Sequence, residues 1–183
     1  MPRLQLTIAG PDTKLLSSLC SACPYSPAGC CVAPPRLDLS DIGRIVAHGG
    51  RDWLLEEIAA KRIVTGERWL SVTRPKRPLV PGGAREAACV YHASTGCTIP
   101  HDRRSATCNY YLCDAASNGD GDGDDADAES ARRARETHDE LVASFVAWDA
   151  EITRRLNATW PDGPTFDAAF LDWLGETFTE LAG

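Results

Sequence analysis

Eight cysteines carry most of the chemistry open to this sequence: Cys20, Cys23, Cys30, Cys31, Cys89, Cys97, Cys108 and Cys113. They fall into two sets of four, C-x2-C-x6-C-C and C-x7-C-x10-C-x4-C. A thiolate is a soft anionic donor, and zinc or iron–sulfur centres take about four of them. A C-x2-C turn brings two sulfurs to one ion. The first set lies in a stretch rich in proline (Pro11, Pro24, Pro27, Pro34, Pro35), which excludes helix and reads as a long loop. A bound metal would order such a loop, because its binding energy becomes folding energy. Metal ligation is therefore favoured over two competitors. A disulfide framework conflicts with a reducing compartment. A dithiol redox motif at Cys20 and Cys23 needs a helix opening there, and Pro24 and Pro27 oppose it.

The Cys30-Cys31 doublet bears on the kind of metal. In extended backbone, neighbouring side chains point to opposite sides. The two sulfurs would then serve different sites or span a polynuclear cluster. That consideration, with the irregular spacing, places an iron–sulfur cluster ahead of zinc as the cofactor. His92 follows Cys89 by three residues and His101 follows Cys97 by four, so each is a candidate further ligand or a supporting or surface side chain. His48 and His138 fall in predicted helices and read as surface residues. The triplet Asp120, Asp122 and Asp124 imitates part of a calcium loop. Asp125 stands where glycine is needed and Ala131 where a glutamate is needed, so calcium is not expected.

The elements that must position these residues are mixed. Residues 4–8 alternate apolar and polar, predicting a short strand. A helix start is expected at Ser40 as N-cap, then a second helix over about 52–63 with Trp53, Leu54, Leu55 and Ile58 inward. Residues 68–73 and 88–92 read as strands, separated by a Pro- and Gly-rich loop over 74–83. Residues 97–113 show little periodicity. Residues 115–128 have no large apolar side chain and read as a flexible acidic linker. Leu141, Phe145, Trp148, Ile152 and Leu156 form one stripe of a long helix over about 129–158. A final helix, capped by Thr165, is expected to turn Phe166, Phe170, Trp173, Leu174 and Phe178 inward. The expected fold class is α+β, mainly helical, with a short strand element and metal-organised cysteine-rich loops. Its regions are 1–113 (metal binding), 114–128 (linker) and 129–183 (a helical pair packing on the same domain).

Composition narrows the partners. The 183 residues carry a net charge of −7, a value matched by the seven acids and no base of residues 114–129. Nucleic-acid binding is not expected from such a balance. The basic run Arg74-Pro75-Lys76-Arg77-Pro78 reads as a solvated loop. No apolar run has the roughly 18–20 residues of a membrane helix, and no secretory pattern opens the chain, so a cytoplasmic location is expected. A protein partner remains open, and no catalytic residues stand out.

The order Cys20-x2-Cys23, Cys30-Cys31 and the helix start Leu39-Ser40-Asp41-Ile42-Gly43-Arg44-Ile45 resembles the YkgJ-type cysteine-cluster proteins. So does the second block, Cys89-Val90-Tyr91, Gly96-Cys97-Thr98-Ile99 and Arg104-x3-Cys108-x-Tyr110-x2-Cys113. The resemblance spans residues 20–113. It implies a zinc- or iron-chelating domain with all eight cysteines as ligands and no settled reaction. A similar motif in flagellin lysine methylases makes a methyl- or group-transfer enzyme the analogous alternative, beside a zinc-structured interaction module. The role expected for a cluster here is redox, sensing or accessory.

Overall fold

The computed structural model describes residues 4–17, 28–94, 96–111, 113 and 125–183. The fold is α+β, with helices outweighing several small antiparallel sheets. The chain opens with a hairpin of β1 (Leu4–Thr7) and β2 (Lys14–Ser17). Gly10, at φ 54°, supplies the left-handed turn residue. Buried Thr13 braces the turn, its hydroxyl accepting from Ala9 N–H at 3.0 Å and donating to Gly10 C=O at 2.8 Å. Then come β3 (Arg36–Leu37), α1 (Leu39–Ala47), α2 (Arg51–Ala59), β4 (Ile63–Thr65) and β5 (Leu70–Val72). The three strands form one sheet, ordered β3-β5-β4, that sets Leu37 opposite Leu70 and buries both. Two more hairpins follow, β6 (Lys76–Pro78) with β7 (Arg85–Ala87) and β8 (His92–Ala93) with β9 (Gly96–Cys97). The remaining helices are α3 (Ala106–Tyr110), α4 (Asp125–Thr159) and α5 (Ala168–Ala182).

Helix α1 is the centre of the packing. Residues 39–45 are all buried, including Ser40, Asp41 and Arg44. One apolar cluster joins Ile42 and Ile45 of α1 to Leu54, Ile63 and Leu70, to Ala106 and Tyr110 of α3, and to the inner faces of α4 and α5. The helical stripe expected of α4 is present, with Leu141, Phe145, Ile152 and Leu156 buried and Trp148 packed against the cluster. On α5, Phe170, Leu171 and Leu174 are buried. Each such side chain contributes about 1.5–3 kcal/mol by leaving water. The C-terminal pair therefore shares its core with the cysteine-bearing part of the chain.

Two helix starts differ from expectation. Ser40 does not cap α1, which begins at Leu39 after Asp38. The Ser40 N–H is instead satisfied from α4, donating to Asp149 Oδ1 at 3.2 Å. Helix α5 is capped by Asp167, whose Oδ1 accepts from Phe170 N–H at 3.0 Å, rather than by Thr165. Other boundaries also shift. Helix α2 stops at Ala59, and Ile63 is pulled into β4 by its pairing with Val72. Of the residues expected inward on α2, Leu54 is buried while Trp53, Leu55 and Ile58 are partly covered.

Residues 88–91 are irregular chain and turn rather than strand, lying between β7 and β8, and β6 occupies part of the loop expected over 74–83. The aperiodic stretch 97–113 contains α3, too short to show a period. Residues 125–128 of the expected linker belong to α4. The rest of that linker, including Asp120, Asp122 and Asp124, lies outside the described residues. None of the described helices is long and apolar enough to cross a membrane.

The contact between α1 and α5 depends on two glycines. A Cβ on Gly43 would stand 2.7 Å from Phe178 Cβ and 2.9 Å from the Leu174 carbonyl oxygen. A Cβ on Gly175 would stand 2.6 Å from Val46 Cγ1. At Gly43 the neighbours are backbone and a Cβ, so they cannot swing aside. Gly43→Ala is expected to destabilise the protein by about 1–3 kcal/mol through overpacking, despite the better helix propensity of alanine. Equilibrium denaturation checks this, and an unchanged or raised midpoint contradicts it.

Candidate metal centre

The doublet sits in a 3-10 turn, Gly29–Val32, entered through Gly29 at φ 50°. Cys31 N–H donates to Ala28 C=O at 2.9 Å and Ala33 N–H to Cys30 C=O at 3.1 Å. This corrects the extended geometry expected for the pair. A 3-10 turn has three residues per turn, so the two side chains diverge by about 120° rather than facing opposite ways. The two thiols remain close enough to hydrogen-bond to each other. That bond, opposed by burial, lowers the Cys30 thiol to about 6. The same bond, with burial and the charges of Cys30, Cys89 and Cys97, raises Cys31.

The two cysteine segments are joined through backbone. Cys89 N–H donates to the Cys31 carbonyl at 2.8 Å. Cys89 is buried, and burial pushes its thiol up, with Cys97 adding to the shift and Arg77 opposing it. The turn after Cys89 is closed by His92 N–H donating to Cys89 C=O at 3.0 Å. The β8–β9 register then sets His92 opposite Cys97, with Gly96 at φ 104° carrying the tight turn. Cys108 lies in α3, which Ser105 caps by accepting from Cys108 N–H at 3.2 Å. Cys108 is exposed as a residue, yet atoms crowded round its sulfur are the main cause that raises its thiol to about 11. The Ser105 hydroxyl opposes that rise, and Cys97, Asp41 and Cys30 add to it.

Cys31, Cys89 and Cys108 thus each lie within electrostatic reach of Cys97, and Cys31 and Cys108 within reach of Cys30. Cys113 is half-buried beyond α3, and Cys20 and Cys23 lie outside the described residues. All six described cysteines are free thiols. Among the described residues, no three His, Cys, Asp or Glu side chains are gathered as a ready-made cation site.

Arginines that sequence reading passed over hold these loops. Arg77, from the run expected to be solvated, donates to the carbonyls of Cys89 (3.2 Å) and His92 (2.5 Å). Arg104 donates from Nε to Ile99 C=O at 2.7 Å and from Nη2 to Cys97 C=O at 3.3 Å. Arg44, fully buried, donates to the Arg104 carbonyl and to Asp12 Oδ1 at 3.1 Å. Asp12 also meets His48 Nε2 at 2.9 Å, so β1–β2 is pinned to α1. Asp41 Oδ1 accepts from Ala106 N–H at 2.6 Å and anchors the start of α3. Nothing in the pattern of charges marks these roles, because a basic residue in a polar run looks solvent-exposed until the fold brings carbonyls to it.

The histidines divide by their partners. His101 Nδ1 lies 3.3 Å from Asn109 Oδ1, while Asn109 Nδ2 donates to His101 C=O at 2.8 Å. His138 contacts Asp139 at 3.0 Å and packs edge-on against Tyr110. His92 Nδ1 and Arg44 Nε are buried with no hydrogen-bond partner among the described residues. Such an atom costs about 1–3 kcal/mol unless something meets it. Comparison with known protein families, curated proteins and solved structures finds no match for this chain.

Two outcomes test this scaffold. Burial raises the Asp41 carboxyl to about 7, with Asp38 and Asp149 assisting and the Ala106 N–H and Arg44 opposing. Because the folded value lies above the unfolded one, the contribution is present in full below about pH 4 and is lost as pH rises to about 7. Stability should fall across that window by up to about 4 kcal/mol from this group. Asp41→Asn keeps the acceptor and should flatten that dependence, measured by denaturation at several pH values; an unchanged slope contradicts it. Arg77→Ala releases the Cys89 and His92 carbonyls and is expected to cost about 1–3 kcal/mol. Faster amide hydrogen exchange over residues 89–97 is the corresponding local signature, and unchanged protection there argues against the clamp.

Proposed function

We propose that this chain binds a metal centre through cysteine thiolates, an iron–sulfur cluster ahead of zinc, in a redox, sensing or accessory role. The hydrogen bond from Cys89 N–H to Cys31 C=O carries the reading, because it joins two sulfur-bearing segments far apart in sequence. The donor set fits the group. Free thiols are the soft ligands that such clusters and zinc select, and Cys31, Cys89 and Cys108 each sense the charge of Cys97. Cys20, Cys23 and Cys113 complete the set proposed from the resemblance to the cysteine-cluster family. A metal would draw the thiols from mutual range into contact, with the loop segments following. The centre would supply electron storage if iron–sulfur, or structural cross-linking if zinc. The arginines on the loop carbonyls hold the backbone on which the sulfurs are carried. A reducing compartment such as the cytoplasm keeps the thiols available.

Anaerobic purification followed by metal and acid-labile sulfide analysis tests the proposal. Iron with sulfide, and a brown colour, is the expected result. Zinc without sulfide moves the reading to a zinc-structured module, and a metal-free, colourless protein that takes up neither metal overturns it. Cys30→Ser and Cys31→Ser are expected to lose metal to the same extent; parental metal content in Cys31→Ser removes the doublet from the ligand set.

A further inference from the structure

We infer that His92 is a metal ligand, its Nδ1 joining the thiolates of Cys31, Cys89 and Cys97 in a site for a borderline-soft divalent ion such as zinc or iron. The inference rests on the thiolate-centre reading and extends it to a nitrogen donor. Three observations converge on this residue. The antiparallel register of β8 and β9 sets His92 opposite Cys97, so both side chains leave the same face of the hairpin. The turn that begins at Cys89 returns its chain at His92, through the 3.0 Å bond from His92 N–H to Cys89 C=O. Cys31 is attached to that turn by the Cys89 N–H.

The third observation is the ring itself. His92 Nδ1 is buried and unpartnered among the described residues. The other three histidines spend a ring nitrogen elsewhere, His48 on Asp12, His101 on Asn109 and His138 on Asp139. A neutral imidazole offers one lone pair, which zinc and iron accept beside thiolates. Arg77 grips the carbonyls of both Cys89 and His92, so the two ligands move as one unit. No three of the four ligand side chains are gathered as they would be round an ion. Closure of the β8–β9 hairpin on the 29–32 turn is the step that the ion itself would drive.

The test uses the full chain without an affinity tag, loaded with zinc alone, and X-ray absorption at the zinc edge. One nitrogen shell at about 2.0 Å is expected beside sulfur at about 2.3 Å. His92→Ala should lose the nitrogen shell, and His101→Ala should keep it. His92→Cys should hold zinc with sulfur in its place, which also decides the matter if His92→Ala does not fold. Bound zinc with a sulfur-only shell in the parent protein, or a nitrogen shell that survives in His92→Ala, overturns the inference and leaves the thiolate centre standing. A parent protein that takes up neither zinc nor iron overturns both.

Discussion

The guanidinium of Arg44 is fully buried in the middle of α1, and a buried charge is tolerated only where its surroundings answer it. Here the answer comes from two directions. Asp12 reaches in from the N-terminal hairpin, and the Arg104 carbonyl from the segment between Cys97 and Cys108. One turn away, Asp41 takes the N–H of Ala106. These contacts satisfy polar groups that could not stay in an apolar helix interface, and in doing so they fix where the second cysteine segment lies. Helix α5 crosses α1 so closely that a Cβ at 43 or 175 would clash, and residues 41 and 44 are buried on the same helix α1.

The two halves of the molecule are ordered by different physics. The helices bury a continuous aromatic and aliphatic core. Phe145 packs on Trp148 and Phe178, with ring centroids 5.0 and 6.4 Å apart, and Trp160 on Phe170 at 5.4 Å. Cys30, Cys31, Cys97 and Cys108 lie on short elements, a 3-10 turn, a two-stranded hairpin and a five-residue helix, which are marginal alone. They are held by side chains that reach to backbone, Arg77 and Arg104 above all, and by the Tyr91 hydroxyl donating to Glu57, itself paired with Arg62 at 2.5 Å. This is scaffolding for a region with little apolar content to bury. It is also the kind of region in which an added cross-link of any chemistry has the largest effect.

The α4 stripe, the aromatic face of α5 and the break between them were legible because the 3.6-residue period repeats over enough turns to exclude other readings. The prolines around Cys30-Cys31 were equally legible as punctuation. What failed to read were short elements whose conformation is dictated from outside. Residues 88–91 have the composition of a strand, but the chain turns there, closed by the bond from His92 N–H to Cys89 C=O. Ser40 has the chemistry of a cap, yet a carboxylate from α4 satisfies its N–H. Arg77 belongs to a run that looks solvated, and only the proximity of two carbonyls turns it inward.

Local residue order thus determined the helices, the loop character of the cysteine segments and the types of donor atom available, since those follow from backbone preferences and side-chain chemistry a few residues apart. Tertiary structure alone decided that Cys31 and Cys89 are neighbours, that the doublet occupies a 3-10 turn, and that His92 pairs with Cys97 while its Nδ1 meets no partner among the described residues. The first of these depends on a hydrogen bond between segments tens of residues apart, and the other two on short elements held in place by the rest of the fold. Their geometry is set by how helices close around a shared core, which no local pattern encodes.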